Sequence, residues 1–129
     1  MRHYSRGFTL IELLVVVAVI GVLSAIGIVS FGKYKTSAEK KQAEISLKSI
    51  YLAQQEYKSN NGEYCVSDCS TQDKIVENLF DEVDDLKGQN YTFKINNNGT
   101  DGFKAEAKHK TSNCKLTLDE KNQLNPSNC

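Results

Sequence analysis

The feature that most limits how this chain can fold is a stretch of nineteen residues without a charge, Leu13 to Phe31. A helix rises about 1.5 Å per residue, so this stretch nearly spans the hydrocarbon core of a bilayer, about 30 Å thick. Because it is apolar on every helical face, it does not suit the surface helix of a soluble domain. We therefore expect residues 8–32 to form a helix that crosses a membrane.

A cleaved secretory signal is the competing interpretation. Such a signal has an apolar region of about 7–15 residues that ends at a small-x-small cleavage site. The stretch here is longer and continues without a clear break into a charged helical pattern, Lys33 to Ser59. Arg2 and Arg6, on a short basic tail, favour a cytoplasmic N-terminus, whereas Lys33 and Lys35 on the other side weaken that argument.

The charged half of this helix carries one apolar stripe that we expect to pack on a domain. Heptad-like spacing relates Ala43, Leu47, Ile50, Gln54 and Tyr57. Three more residues are expected to widen the stripe: Ile45, Leu52 and Ala53. The sequence Asn60-Asn61-Gly62 predicts the end of the helix. A helix from Phe8 to about Ser59 would be about 78 Å long.

The rest of the chain predicts a small helix and a sheet. Residues 72–86 have helical spacing, with Ser70 and Asp73 as a capping box. After Gly88 the period changes to two in three segments, 91–95, 103–107 and 114–118, which predict a three-stranded antiparallel meander. Residues 122–129 are expected to form a loop. The fold class is therefore α+β, with the amphipathic half of a long N-terminal helix packed on a small antiparallel sheet.

Charge and cysteine content narrow the classes of function. The chain carries sixteen basic and sixteen acidic residues. Removing residues 1–7 would leave a formal charge near −2, which argues against a dedicated polyanion binder. All four cysteines follow the apolar segment, and an even number in a small exported domain predicts two disulfides rather than a zinc site. They are Cys65, Cys69, Cys114 and Cys129.

Glu12 is the residue that stands out in the apolar region. A carboxylate in a bilayer helix costs several kcal/mol unless it has a partner. In one interpretation Glu12 lies at the membrane interface and extends towards water. In the other, cleavage between Gly7 and Phe8 creates an α-amine four residues before Glu12, on the same helical face. The amine of one subunit would then neutralise Glu12 of its neighbour and set the register between helices.

The segment Arg6-Gly7-Phe8-Thr9-Leu10-Ile11-Glu12-Leu13-Leu14, followed by Val-Val-Val-Ala-Val-Ile-Gly-Val-Leu, resembles the class III signal of type IV pilins and type II secretion pseudopilins. The resemblance covers about residues 5–35, and beyond them the layout of helix, loop and sheet is similar. It implies that a prepilin peptidase removes residues 1–7 as a leader and N-methylates Phe8. It also implies that Glu12 is the assembly carboxylate. Residues 33–129 would then be the exported domain.

Other features follow from the same resemblance. Gly21 matches a small residue common in this helix, whereas Val29 stands near the position where the family often has a proline. Gly27 and Gly32 would be the residues that weaken the helix there instead. The pilin C-terminal disulfide loop implies a Cys114–Cys129 bond, which leaves Cys65–Cys69 as a tight local bridge.

Two charged clusters each have two interpretations. The acidic residues suggest either calcium, which many pseudopilins bind, or the solvated face of a short helix; they are Asp81, Glu82, Asp84 and Asp85. The basic residues suggest either a DNA-binding strip, with Tyr91 or Phe103 stacking on bases, or an ordinary sheet surface. They are Lys104, Lys108, His109, Lys110 and Lys115. In both cases we favour the structural interpretation, and we expect no metal or cofactor.

The sequence therefore favours a structural subunit of a type IV pilus, without catalytic activity. It would be a single-pass inner-membrane precursor in a bacterium and then part of an extracellular filament. Its expected partners are copies of itself, prepilin peptidase, other pilins and the assembly platform, and DNA or a surface ligand. A type II secretion pseudopilin and a DNA-binding minor pilin are the alternatives. Adhesion, twitching motility and DNA uptake are the roles that such a filament would serve.

Overall fold

A single helix, α1 (Leu10–Asn61), belongs to two separate units in the computed structural model, which describes residues 3–129. Met1 and Arg2, part of the expected leader, lie outside the described residues. One unit ends at Ser37 and the other comprises Ala38–Cys129. In the described part of the first unit every side chain is exposed. By length and composition α1 is able to cross a membrane, a test that a signal sequence also passes.

The end of α1 lies where the sequence predicts it. Gly62 adopts a positive φ of 82°, and its N–H donates to the Lys58 carbonyl at 2.7 Å. A left-handed residue after the last helical turn reverses the chain and binds a terminal carbonyl, and glycine adopts that conformation without a Cβ clash.

The second unit is a four-stranded antiparallel sheet in a meander, with strand order β1-β2-β3-β4. The strands are β1 (Tyr91–Asn97), β2 (Phe103–His109), β3 (Lys115–Asp119) and β4 (Leu124–Ser127). Three of them match the predicted strands. The fourth corrects the expected loop over residues 122–129. β4 pairs with β3, and its Pro126 lies on the sheet edge, where a missing N–H breaks no ladder hydrogen bond.

The core lies between the inner face of this sheet and one face of α1. The helix contributes Ala43, Leu47, Ile50 and the buried polar residues Ser46 and Gln54. Alternate strand residues complete the core: Tyr91, Phe93, Ile95, Phe103, Ala105, Ala107, Leu116 and Leu118. The α+β fold is as predicted from the sequence.

The expected widening of the α1 stripe is wrong at two positions. Ile45 and Leu52 are 66% and 67% exposed, respectively. The sheet covers only one side of the helix, so a residue two positions from a core residue points away from the core.

The second helix, α2 (Gln72–Leu79), is shorter than the predicted 72–86. Its N-cap is Thr71, whose side chain accepts a hydrogen bond from the Lys74 N–H, and not the predicted Ser70. The helix stops because Asp81 and Glu82 take positive φ angles and the Glu82 N–H returns to the Val76 carbonyl at 3.1 Å. Consecutive carboxylates are also unfavourable at the negative end of a helix dipole.

The connection between the two helices is tied to α1 by one buried side chain, Gln54. Its Nε2 donates to the Cys65 carbonyl at 2.6 Å, and its Oε1 accepts from the Cys65 N–H at 2.8 Å. The amide thus satisfies both backbone groups of a buried loop residue. A short 3-10 turn, Ser67–Cys69, follows, and a Cys65–Cys69 disulfide closes the loop.

We expect Gln54→Leu to lower the free energy of unfolding by about 3 kcal/mol, because it leaves a buried donor and a buried acceptor unpaired. The matched control is Gln55→Leu, since Gln55 makes one long, 3.4 Å contact with the Tyr64 hydroxyl. That change should cost less than about 1 kcal/mol. Chemical denaturation of the full chain in detergent measures both values, and equal losses would contradict this role of Gln54.

The second disulfide, Cys114–Cys129, encloses β3 and β4 with a sequence separation of 15. The chain-entropy model assigns a loop of this size about 3 kcal/mol of stabilisation. Cys129→Ala removes only an exposed side chain, so it should lower the free energy of unfolding by most of that amount. Denaturation under non-reducing conditions measures it. A loss below about 1 kcal/mol would mean that the disulfide does not stabilise the domain.

Candidate assembly site

The first turn of α1 is closed by a reciprocal pair of hydrogen bonds between Thr9 and Glu12. The Thr9 N–H donates to Glu12 Oε2 at 3.1 Å, and the Glu12 N–H donates to Thr9 Oγ1 at 3.2 Å. This is a capping box, in which a threonine and a glutamate three residues later satisfy donors that the helix leaves free. The signal Thr-x-x-Glu is present at positions 9–12, so this capping box was predictable from the sequence.

The capping box changes how the charge of Glu12 is compensated. Its carboxylate accepts a hydrogen bond from one backbone N–H and lies at the positive end of the helix dipole. Glu12 therefore has a partner within its own chain at the very end of the apolar segment. The second carboxylate oxygen, Oε1, makes no hydrogen bond within the described residues, and it is available to another donor.

The expected cleavage bond lies just before this box, at the exposed residues Gly7 and Phe8. Phe8 is 93% exposed and precedes the capping residue Thr9 directly. A Cβ added at Gly7 would meet no atom within 4 Å. The fold itself therefore gives no steric reason for a glycine at this position. A requirement for glycine would have to come from an enzyme that binds this segment.

The apolar helix continues without interruption through the position of the missing proline. Val29, Gly27 and Gly32 all lie within α1. A Cβ at Gly21 would also meet no atom within 4 Å, so the small residue leaves an open notch on the helix surface.

The four cysteines form the bonds Cys65–Cys69 and Cys114–Cys129. The second bond lies beside Tyr91, whose hydroxyl is 3.2 Å from Cys114 Sγ. Burial, and then the charges of Glu39 and Glu44, raise the pKa of Tyr91 above its ordinary value. This tyrosine is therefore neutral at physiological pH.

The basic strip is divided between two faces of the sheet. Lys104, Lys108 and Lys115 lie on the outer face, where Lys94 joins them. Lys94 and Lys115 both pair with the buried carboxylate of Glu106, at 3.4 and 3.0 Å. This carboxylate offsets part of the positive charge of the face.

The remaining members of the proposed DNA strip lie elsewhere. His109 turns to the other face, where its Nε2 is 3.3 Å from Glu39 Oε2, and Lys110 follows the end of β2. Tyr91 and Phe103, proposed to stack on bases, are buried in the core. The DNA interpretation therefore loses the aromatic platform on which it depended.

The acidic cluster lies in the exposed turn that ends α2, not on a helical face as expected. Within residues 3–129, no group of three or more His, Cys, Asp or Glu side chains is arranged to hold a metal ion.

Comparisons with known proteins match half of this chain or less. Residues 2–28 match the family model of the prokaryotic N-terminal methylation motif. The chain is 45% identical over 60 residues to the type IV major pilin protein PilA of Myxococcus xanthus, which covers 46% of this chain and 27% of that protein. No solved structure matches the chain.

Two further relatives come from Neisseria. A fimbrial protein of Neisseria meningitidis serogroup B is 34% identical over 64 residues, 50% of this chain and 38% of that protein. The type IV major pilin protein PilE1 of Neisseria gonorrhoeae is 33% identical over 64 residues, 50% of this chain and 39% of that protein. The chain thus spans well under half the length of each of these relatives. Its methylation motif, its similarity to several pilins and its long helix packed on an antiparallel sheet agree with one another, and together they make the chain similar to type IV pilins.

Proposed function

We propose that this chain is a structural subunit of a type IV pilus, which polymerises through residues 8–32 into a surface filament. The precursor would cross the bacterial inner membrane once. A prepilin peptidase would remove residues 1–7 and N-methylate Phe8. The subunit would then leave the membrane by packing against copies of itself. The role is structural, without catalysis or a cofactor.

The main support for this proposal is that the apolar part of α1 is exposed along its whole length. Every described side chain up to Ala38 is exposed, although most of those in residues 8–32 are large and apolar. A helix apolar on all faces is stable only in a membrane or surrounded by other apolar helices. The prepilin motif at residues 2–28 supports the use of both environments, one before processing and one after it.

Glu12 would direct the packing of the copies. Cleavage converts the Phe8 nitrogen from an amide into an ammonium group next to Thr9. In the filament this amine would bind Glu12 of a neighbouring subunit, through the oxygen that the capping box leaves open. A charged pair buried among apolar side chains fixes one axial position, because any other position leaves a charge unpaired.

The exported part, residues 33–129, would form the outer surface of the filament. Its disulfide-closed segments, held by Cys65–Cys69 and Cys114–Cys129, would determine adhesion, twitching motility or DNA uptake. Other pilins and the assembly platform would be its partners during polymerisation.

We expect the mature chain to begin at a methylated Phe8. Intact-mass measurement of the membrane form should show the loss of residues 1–7 and the gain of one methyl group. Gly7→Leu should leave the precursor uncut, because the added side chain would obstruct a peptidase although the chain itself has space for it. Ser5→Leu adds the same side chain two residues earlier and should be processed normally. A mature chain that begins beyond residue 25 would contradict the proposal.

We expect Glu12→Gln to abolish filament assembly. Glutamine keeps the capping geometry but removes the charge, so an incoming Phe8 amine would be buried unpaired. Breaking a buried pair costs about 3 kcal/mol or more, which is at least roughly a hundredfold in the assembly equilibrium. Electron microscopy and sheared-filament yield measure the loss, and processing and membrane insertion should stay normal.

The complementary variant is Thr9→Val, which removes the capping hydroxyl and keeps the Glu12 charge. It should lower filament yield less than Glu12→Gln does, since losing a cap costs about 1 kcal/mol. Normal filaments from Glu12→Gln, together with loss of filaments in Thr9→Val, would mean that Glu12 serves only as a helix cap. The charge-pair mechanism would then be wrong.

A further inference from the structure

The turn between β2 and β3, residues 110–113, is held by the side chain of His109. The N–H groups of Thr111 and Ser112 both donate to His109 Nδ1, at 3.2 and 3.0 Å. Within residues 3–129 neither of these N–H groups has a backbone acceptor. An imidazole nitrogen thus takes the place of the carbonyl oxygen that a backbone N–H usually finds. We name residues 110–113 the His109 turn.

These contacts assign the tautomer of the ring. A ring nitrogen that accepts hydrogen bonds from two N–H groups carries a lone pair and no proton. The proton of the neutral ring therefore lies on Nε2, which is 3.3 Å from Glu39 Oε2. The His109 and Glu39 side chains are only 12% and 18% exposed. The ring thus connects α1 with the turn, because it donates to one and accepts from the other.

A second proton on this ring would reach only one of its two contacts. Histidine is the ordinary side chain whose charge changes between pH 5 and 8. Because Nε2 already carries a proton, the second proton has to bind Nδ1. An Nδ1–H no longer accepts from Thr111 and Ser112, and its positive charge repels their N–H dipoles. The Glu39 contact is retained, since Nε2 keeps its proton and a charged donor strengthens a hydrogen bond to a carboxylate.

The other groups around the ring offer no second acceptor to the turn. Tyr91 of β1 packs edge-on against the ring, with centroids 4.9 Å apart, and burial raises the pKa of Tyr91, so its hydroxyl is neutral. Glu44 of α1 pairs with Lys41 at 2.9 Å. Lys110 is exposed at the start of the turn. Cys114, before β3, is in a disulfide and does not titrate.

We propose that the His109 turn is a pH-sensitive switch, which is closed over the neutral ring and released when Nδ1 takes up a proton. Its two hydrogen bonds require an unprotonated Nδ1, so they are present at higher pH and are lost as the pH falls through the titration of the ring. Thr111 Oγ1, 3.3 Å from Nδ1, is able to accept from the new Nδ1–H. Acid therefore exchanges two backbone donors for one hydroxyl acceptor.

The change is confined to the turn, because the hydrogen bonds at its base do not involve the ring. The His109 N–H donates to the Cys114 carbonyl, and the Lys110 N–H donates to the Asn90 carbonyl, both at 2.9 Å. The sheet therefore stays folded while four exposed residues rearrange, and the domain presents a different surface in mild acid. This inference concerns the domain alone and does not depend on filament assembly.

NMR of the full chain in detergent micelles tests the switch. The chain has two histidines, so His3→Gln leaves His109 as the only imidazole. At pH 8 the nitrogen shifts of the ring should show the proton on Nε2. Between pH 8 and 5.5 the amide signals of Thr111 and Ser112 should move with the same midpoint as the ring. Their hydrogen-exchange protection, corrected for the intrinsic effect of pH, should fall roughly tenfold, as expected for a lost hydrogen bond.

The β1–β2 turn is the internal control. Its Asn98 N–H donates to the Gly102 carbonyl at 3.3 Å, and its protection should stay constant over the same range. Amides of the His109 turn that stay unchanged while the ring titrates would overturn the switch, and so would a proton on Nδ1 at pH 8. A parallel loss of protection at Asn98 would mean that acid unfolds the whole domain, which also overturns it.

Two variants separate the acceptor from its titration. In His109→Asn the side-chain oxygen replaces Nδ1 as the acceptor and takes up no proton in this range, so the turn should be closed at both pH 8 and 5.5. His109→Phe keeps a ring beside Tyr91 but has no acceptor, so the turn should be open at both. Protection that still falls with pH in His109→Asn would overturn the role of His109. If His109→Phe does not fold, the titration of the His3→Gln chain decides.

Discussion

The exposed apolar surface on the first half of α1 is the physical constraint on which the other features of this chain depend. Fifteen large apolar side chains between Leu10 and Phe31 are exposed. At about 1.5 kcal/mol or more each, their burial is worth on the order of 20 kcal/mol, more than the net stability of an average domain. This segment is therefore not stable when it is surrounded by water. Membrane lipid and the same segment of other copies are chemically similar enough to replace each other around it.

Polar groups within such a segment have to remain satisfied in both surroundings. The capping box achieves this for the helix start, since Thr9 and Glu12 satisfy each other without help from water. It also holds Glu12 Oε2 at a fixed position at the start of the helix, since that oxygen accepts the Thr9 N–H. A carboxylate that is already held by its own chain costs less to move from lipid into a bundle. In the proposed filament, the charge would then select an axial position without preventing insertion of the precursor into the membrane.

Helices and strands whose residues follow a single periodicity were predictable from the sequence. Features that depend on contacts with residues distant in the sequence, or on adjacent charges, were not. The long helix, its Gly62 end and three strands follow from spacing alone. The end of α2 depends on like charges next to a helix terminus, and β4 depends on pairing with β3 and on the nearby disulfide. Tyr91 and Phe103 alternate as strand residues should, but only the packed sheet shows that both rings face the core.

The site itself shows the same division. Gly7, Phe8 and Glu12 are visible as a motif, yet the hydrogen bonds that hold Glu12 come from a capping signal at positions 9–12 that the unusual charge obscured. Ile45 and Leu52 show the opposite error. Their hydrophobicity suggested burial against the sheet, although helical geometry places them on the far side. A hydrophobic residue in an amphipathic pattern predicts a partner, and the pattern alone does not say whether that partner belongs to the same chain.

A contact between two different positions on identical subunits has a consequence for the form of the assembly. When a residue meets its own equivalent across a two-fold axis, both surfaces are used and growth stops at a dimer. In the proposed filament the Phe8 amine of one subunit binds Glu12 of the next, so the two contacting groups are different. Each subunit then keeps one free partner at either end. Because this contact would require parallel helices displaced in one direction along their axes, it would favour an open filament over a closed oligomer.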